Sequence, residues 1–269
     1  RQSGFLFPRY TSNSELGTII GTPYHFSLSP HKDLTIEPMY IGNQRPLIYT
    51  QFRQKFLNGE INVDTSFTNA ERRTRVRTYS DKFRGHLFIN GKFDHNEFWR
   101  YGFNIKRSTD DTYLSRYLFE GATDRLHSDF YIEGFDNKNY FIASGIATQV
   151  QSSAYQSNKT PLVLPSINYS FQSEKTKFGF IDFDASFLSL TRRQGADTRK
   201  ISLEPMLTYP FKDNFGNRYK IQAKTTISSY MLSHIQRAGK ADYKGYKSRI
   251  HPELLIGWDL PLQKKQNGK

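Results

Sequence analysis

Trp99-Arg100-Tyr101-Gly102-Phe103-Asn104-Ile105-Lys106-Arg107 alternates large apolar side chains with small, polar or charged ones at every second position. A period of two puts Trp99, Tyr101, Phe103 and Ile105 on one face of an extended strand and Arg100, Gly102, Asn104 and Lys106 on the other. The same rhythm recurs along the chain. Leu34, Ile36, Pro38 and Tyr40 alternate with Asp33, Thr35, Glu37 and Met39. Leu126, Phe130 and Ile132 share a face opposite His127, Asp129, Tyr131 and Glu133. Ile181, Phe183, Ala185 and Phe187 oppose Asp182, Asp184 and Ser186, and Ile201, Leu203, Pro205, Leu207 and Tyr209 oppose Ser202, Glu204 and Thr208. No run shows helical periodicity with caps. Turn-prone clusters at residues 42–44, 58–60, 90–92, 136–138 and 213–216 separate the strands, and longer polar stretches at 69–82, 152–160, 191–200 and 236–248 read as loops. The pattern predicts an all-β, antiparallel fold of roughly a dozen strands.

Composition agrees and narrows the choice. Aromatic residues make up 15 % of the chain while hydrophobic residues reach only 36 %, a balance that suits pleated strands better than an α/β core. No stretch of about 18 apolar residues exists to span a membrane as a helix. A barrel strand needs only about 10 residues, apolar on one face. Alternation therefore fits both a soluble sandwich and a transmembrane barrel. Aromatics near strand ends (Trp99 and Tyr101, Tyr209 and Phe211, Trp258) suit interfacial girdles, although a sandwich core also takes aromatics. The formal charge of +13 favours anionic partners without choosing among them.

Little in the chain points to covalent chemistry. With no cysteine there is no thiol nucleophile, thiolate metal site or disulfide. The histidines lack metal-ligand spacing, no serine stands in a Gly-x-Ser-x-Gly turn, and Asp110-Asp111 reads as turn chemistry. The expectation is a protein without catalytic residues, metal or cofactor. Basic residues cluster at Arg72, Arg73, Arg75, Arg77, Lys82 and Arg84, and again at Arg192, Arg193, Arg199 and Lys200. Nucleic acid is not the expected partner, because the aromatics are spread over every strand instead of forming one stacking platform. Pro8 and Pro23 cannot donate to a β ladder, so they belong at edges, strand starts or bulges; Pro30 and Pro38 suit a turn and a bulge.

Three segments near the start carry a family resemblance. They are Arg1-Gln2-Ser3-Gly4-Phe5-Leu6-Phe7-Pro8, Thr22-Pro23-Tyr24-His25-Phe26-Ser27-Leu28-Ser29-Pro30 and Asp33-Leu34-Thr35-Ile36-Glu37-Pro38-Met39-Tyr40. In order and spacing they resemble the opening of the barrel in the LptD family of lipopolysaccharide (LPS) assembly proteins, with His25 and Phe26 departing in identity but not in character. Arg84-Gly85-His86-Leu87, Trp99–Phe103, Asp110–Leu114, Glu133-Gly134-Phe135 and Leu164–Ile167 extend the likeness over most of the chain.

The resemblance implies an antiparallel transmembrane β-barrel, with residues 1–269 forming one partial barrel domain. The family's periplasmic jelly-roll domain and the closing strands would lie outside this stretch, as in a fragment or truncated product. It also implies the cell outer membrane as location and LPS as cargo, with an LptE-like lipoprotein plug and an LptA-like periplasmic bridge as partners. Pro8 and Pro23 would weaken a lateral gate between the first and last strands. Arg53, Arg84, Arg100 and Lys106 would bind LPS phosphates or carboxylates, for which guanidinium is well suited, with Arg53, Arg100, Lys106 and Glu133 facing the lumen. A passive porin or receptor barrel is the other reading, and there the prolines would have no role.

Overall fold

The computed structural model describes residues 2–73, 78–119, 123–152, 157–237 and 240–261. Arg75, Arg77 and the C-terminal residues 262–269 lie outside them, as do the side chains of Arg72 and Arg73. The described chain is built almost entirely from strands. They are β1 (Gly4–Phe5), β2 (Arg9–Asn13), β3 (Gly17–Gly21), β4 (Tyr24–Ser29), β5 (Lys32–Ile41) and β6 (Leu47–Phe56). Next come β7 (Gly59–Arg73), β8 (Thr78–Asp94) and β9 (Trp99–Ser108), the one-turn helix α1 (Tyr113–Arg116), then β10 (Arg125–Asp136) and β11 (Asn139–Val150). The last are β12 (Leu162–Gln172), β13 (Phe180–Thr191), β14 (Asp197–Lys212), β15 (Arg218–Arg237) and β16 (Lys240–Asp259).

The hydrogen-bonded order is β1-β4-β5 and then sequential to β16 in one sixteen-stranded sheet, with β2 on β3 and β3 on β5. The fold is all-β and antiparallel, as the alternation predicts, but the strands number sixteen where about a dozen were expected. Part of the excess is physical: the first two spans are each broken into two short pieces. The polar stretches also behave differently from the loops expected of them. Residues 69–73 and 78–82 continue β7 and β8, residues 197–200 open β14, and 236–237 with 240–248 continue β15 and β16. A ladder satisfies its own backbone whatever the side chains are, so a hairpin can run on after its apolar face has ended.

The chain divides into two compact units, residues 1–132 with 144–162, and residues 133–143 with 163–269. In the first, cross-strand pairs Phe26↔Leu34, Leu34↔Phe52, Phe52↔Val63, Val63↔Ile89 and Ile89↔Ile105 carry one apolar face from strand to strand. The other phase pairs Asp33↔Arg53, Arg53↔Asn62, Glu60↔Lys92 and Asp94↔Arg100. In the second unit Ile181↔Leu207, Phe183↔Pro205, Ala185↔Leu203 and Phe187↔Ile201 pair as one apolar set, continued by Leu203↔Ile227 and Ile227↔Ile250. Ring contacts reinforce these faces: Phe93 stacks on Tyr101 at 5.3 Å and Phe211 on Tyr219 at 4.7 Å, each worth roughly 0.5–1.5 kcal/mol beyond burial. Most of this apolar face is exposed, including Phe26, Phe67, Leu87, Ile201, Ile250 and Trp258.

The buried core of the first unit lies on the opposite phase. Leu16, Ile19, Met39, Ile41 and Leu47 meet Tyr113, Leu114 and Tyr117 from the segment around α1. Leu126 joins them at 1 % exposure, although it was expected beside Phe130, which is 52 % exposed. The hydroxyl of Ser128 accepts from the Lys106 amide at 2.9 Å and donates to the Lys106 carbonyl at 3.1 Å. Leu126 lies with the core although it shares the parity of the exposed Phe130.

Candidate functional site

The first strands form a weak end to the sheet. β1 has only 2 residues, Gly4↔His25 and Phe5↔Tyr24, and stands at the starting end of the strand order. Phe5 faces Tyr24 whereas Arg9 faces Gly21, so Leu6–Pro8 oppose only Thr22 and Pro23 and the register slips. Pro8 and Pro23 therefore lie in the gaps between strand pieces, at the strand ends where a residue without a ladder donor belongs. The physical reason is visible at Pro23. Its carbonyl accepts the Leu6 amide at 2.9 Å. An antiparallel hydrogen-bonded pair exchanges two such bonds, and the reciprocal donor would be the N–H that proline lacks. Few contacts compensate: Ser27 N–H donates to Ser3 Oγ at 2.9 Å, and Phe5 meets Tyr24 edge-on at 4.9 Å.

On the polar phase, Arg53 makes a two-pronged pair with Asp33, Nε to Oδ1 at 2.9 Å and Nη2 to Oδ2 at 3.2 Å. These two help line a cavity of about 860 Å³ together with His31, Lys55, Glu60 and Asn62. Arg100 lies on the same phase, 3.8 Å from Asp94, and the Lys106 ammonium sits 5.9 Å from the centre of the Phe88 ring. Glu133 accepts from the Tyr140 hydroxyl at 3.0 Å.

Arg84 does not join that surface. Its side chain is fully buried, and its donors go to Asp110 (Nε and Nη2, each 2.9 Å), Thr112 Oγ1 (3.0 Å) and the Glu71 carbonyl (2.9 Å). These bonds occupy the guanidinium where an LPS-binding side chain was expected. Asp110 in turn accepts from the Thr112 amide and hydroxyl, which fixes the approach to α1. In the sequence Asp110-Asp111 reads as turn chemistry, and the helical turn behind it goes unmarked. Its only signal is Tyr113-Leu114-x-x-Tyr117 behind an Asp/Thr pair, a single turn of helical spacing.

A second polar connection docks the same segment. The Tyr113 hydroxyl meets Ser66 Oγ at 2.6 Å, Ser66 Oγ meets His86 Nδ1 at 2.7 Å, and His86 Nε2 meets Asp64 at 2.8 Å. Hydroxyl, imidazole and carboxylate in that order have the form of an activated nucleophile. Here Ser66 is buried and already bonded by Tyr113, so the chain works as a hydrogen-bonded tether between wall and segment.

Asp110 gives this docking a pH dependence. Burial alone pushes its carboxyl up, but the bonds and charge of Arg84, with the Thr112 donors, outweigh burial and hold it below the ordinary aspartate range. A depressed value contributes stability that is complete above the ordinary value of about 3.9 and is lost as pH falls through the depressed one. Pepsin should therefore spare residues 113–119 at the upper end of its working range and cut there once the pH drops below that value. Equal cleavage at both ends would remove the Asp110 pair from the account.

A family model described as LPS transport system D matches residues 82–267. The chain belongs to the LptD family. The LPS-assembly protein LptD of Histophilus somni is 22 % identical over 99 % of this chain and 35 % of its own length. That of Shewanella sp. (strain MR-4) is 25 % identical over 98 % of this chain and 34 % of its own length, and that of Pseudomonas aeruginosa (strain LESB58) is 28 % identical over 51 % and 13 %. The chain thus spans about a third of the length of the LptD relatives that match nearly all of it.

Proposed function

We propose that this chain supplies the opening strands of an outer-membrane β-barrel that passes LPS outward and releases it sideways at the first-strand edge. Residues 1–269 serve as one partial barrel domain. The observation that carries the reading is the pair of proline-bearing gaps at the end of the sheet, next to an apolar face suited to hydrocarbon. Acyl chains leaving between weakly paired strands stay in an apolar medium, while the saccharide crosses along the charged phase. Arg53, Arg100 and Lys106 are the groups that meet LPS phosphates and carboxylates there. Arg84 keeps its place by fixing the wall beneath the α1 segment. An LptE-like lipoprotein fills part of the lumen and an LptA-like bridge delivers LPS from the periplasm, as the family resemblance implies. The LptD relatives carry the LPS-assembly name along the same stretch, so a passive pore is not favoured.

A photoreactive amino acid placed at Phe7, in the first gap and 97 % exposed, should capture LPS during transport in cells. The same group at Phe215, in the turn between β14 and β15 and 88 % exposed, should not, although it is nearly as accessible. Equal capture at both positions, or none at Phe7, would contradict release at this edge.

A further inference from the structure

We propose that Arg9 and Glu37 form a clasp that holds the first strand pair shut across the proline gaps. Its part in transport rests on the function proposed above; the clasp itself does not. Arg9 opens β2 immediately after the first gap and faces Gly21 of β3, which faces Met39 of β5. The Arg9 side chain crosses β3 and reaches Glu37 of β5, with Nε donating to Oε1 at 3.1 Å and Nη2 to Oε2. Its guanidinium also lies 5.9 Å from the ring centre of Tyr49 on β6. One side chain thus ties the outermost full strand to two strands farther in.

Gly21 makes the crossing possible. A Cβ at this position would stand 2.0 Å from Glu37 Oε1, so only glycine leaves the carboxylate where the fork can meet it. Counting from Gly21↔Met39 and Tyr24↔Ile36, Pro23 stands opposite Glu37. The fork thus lies one strand away from the proline whose missing N–H leaves the Leu6 pair half bonded. The Glu37 side chain is only 3 % exposed, against 57 % for Arg9. A buried carboxylate is costly without its cation, so the partner cannot be given up lightly. Arg9, reaching in from solvent, is the half able to let go.

The test is hydrogen exchange of the amides in residues 2–13, measured on the natural protein in outer-membrane vesicles. Arg9→Gln removes little packed surface and should speed exchange about tenfold, the scale of one charge-assisted bond. Arg9→Lys keeps the charge without the fork and should fall between. Gly21→Ala retains both charges yet should act like Arg9→Gln, because only the mobile end of Glu37 must move aside. Unchanged exchange in both Arg9→Gln and Gly21→Ala would overturn the clasp. In cells the loosened variants should deliver LPS to the surface faster. Faster exchange with level delivery would uphold the clasp and count against sideways release.

Discussion

Asp110→Ala should undock the segment from Thr109 to Phe119 and be the most damaging single change in the first unit. It leaves Arg84 fully buried with its carboxylate gone, and breaking a buried ion pair in this way costs about 3–5 kcal/mol. The same change removes the acceptor for the Thr112 amide and hydroxyl. The loss should appear as trypsin cleavage after Arg116, a buried side chain that now lies 3.1 Å from Glu15. Arg84→Met combined with Asp110→Ala should recover much of the protection, since replacing both charges by apolar groups spares the orphaned cation. A double variant as sensitive as Asp110→Ala would mean that the pair anchors the segment by geometry that apolar packing cannot replace.

What could be read from the residues was the two-residue rhythm. The apolar sets of β13 and β14 pair in the phase that alternation gave them, and so does the Trp99–Ile105 set with Phe93 and Ile89. Arg53, Arg100 and Lys106 lie on the polar phase for the same reason. The misreadings have separate physical causes. The stretches 69–73, 78–82, 197–200, 236–237 and 240–248 are mostly polar and charged, so no apolar period marks them as strands. Arg84 showed its charge in the sequence but not its partner, which lies 26 residues away. The α1 segment is one turn long, too short for a helical period, and its hold on the wall comes from contacts with Ser66 and Arg84 that only the fold creates. Leu126 shares the parity of Phe130, yet it packs into the core while Phe130 is exposed.

If LPS leaves sideways as proposed, release depends on how easily the first strands part, and the two prolines are the simplest handle on it. At Pro23, alanine supplies the N–H that would complete the exchange of bonds with Leu6. At Pro8, alanine supplies a donor inside a stretch where Leu6–Pro8 oppose only Thr22 and Pro23. Up to two added bonds at about 1 kcal/mol each would stabilise the closed edge by as much as about 2 kcal/mol. That lowers the open population near 30-fold at about 1.4 kcal/mol per decade. Neither substitution touches the α1 segment, the Arg84–Asp110 pair or the apolar face, so folding and insertion should be preserved.

The direct measurement is the rate at which newly made LPS reaches the cell surface, followed by surface labelling in cells that carry Pro8→Ala with Pro23→Ala in the natural protein at matched abundance. Slower delivery with normal insertion is the predicted result. Delivery at the unaltered rate would contradict it, and would mean that the prolines only punctuate the strands while opening is controlled elsewhere.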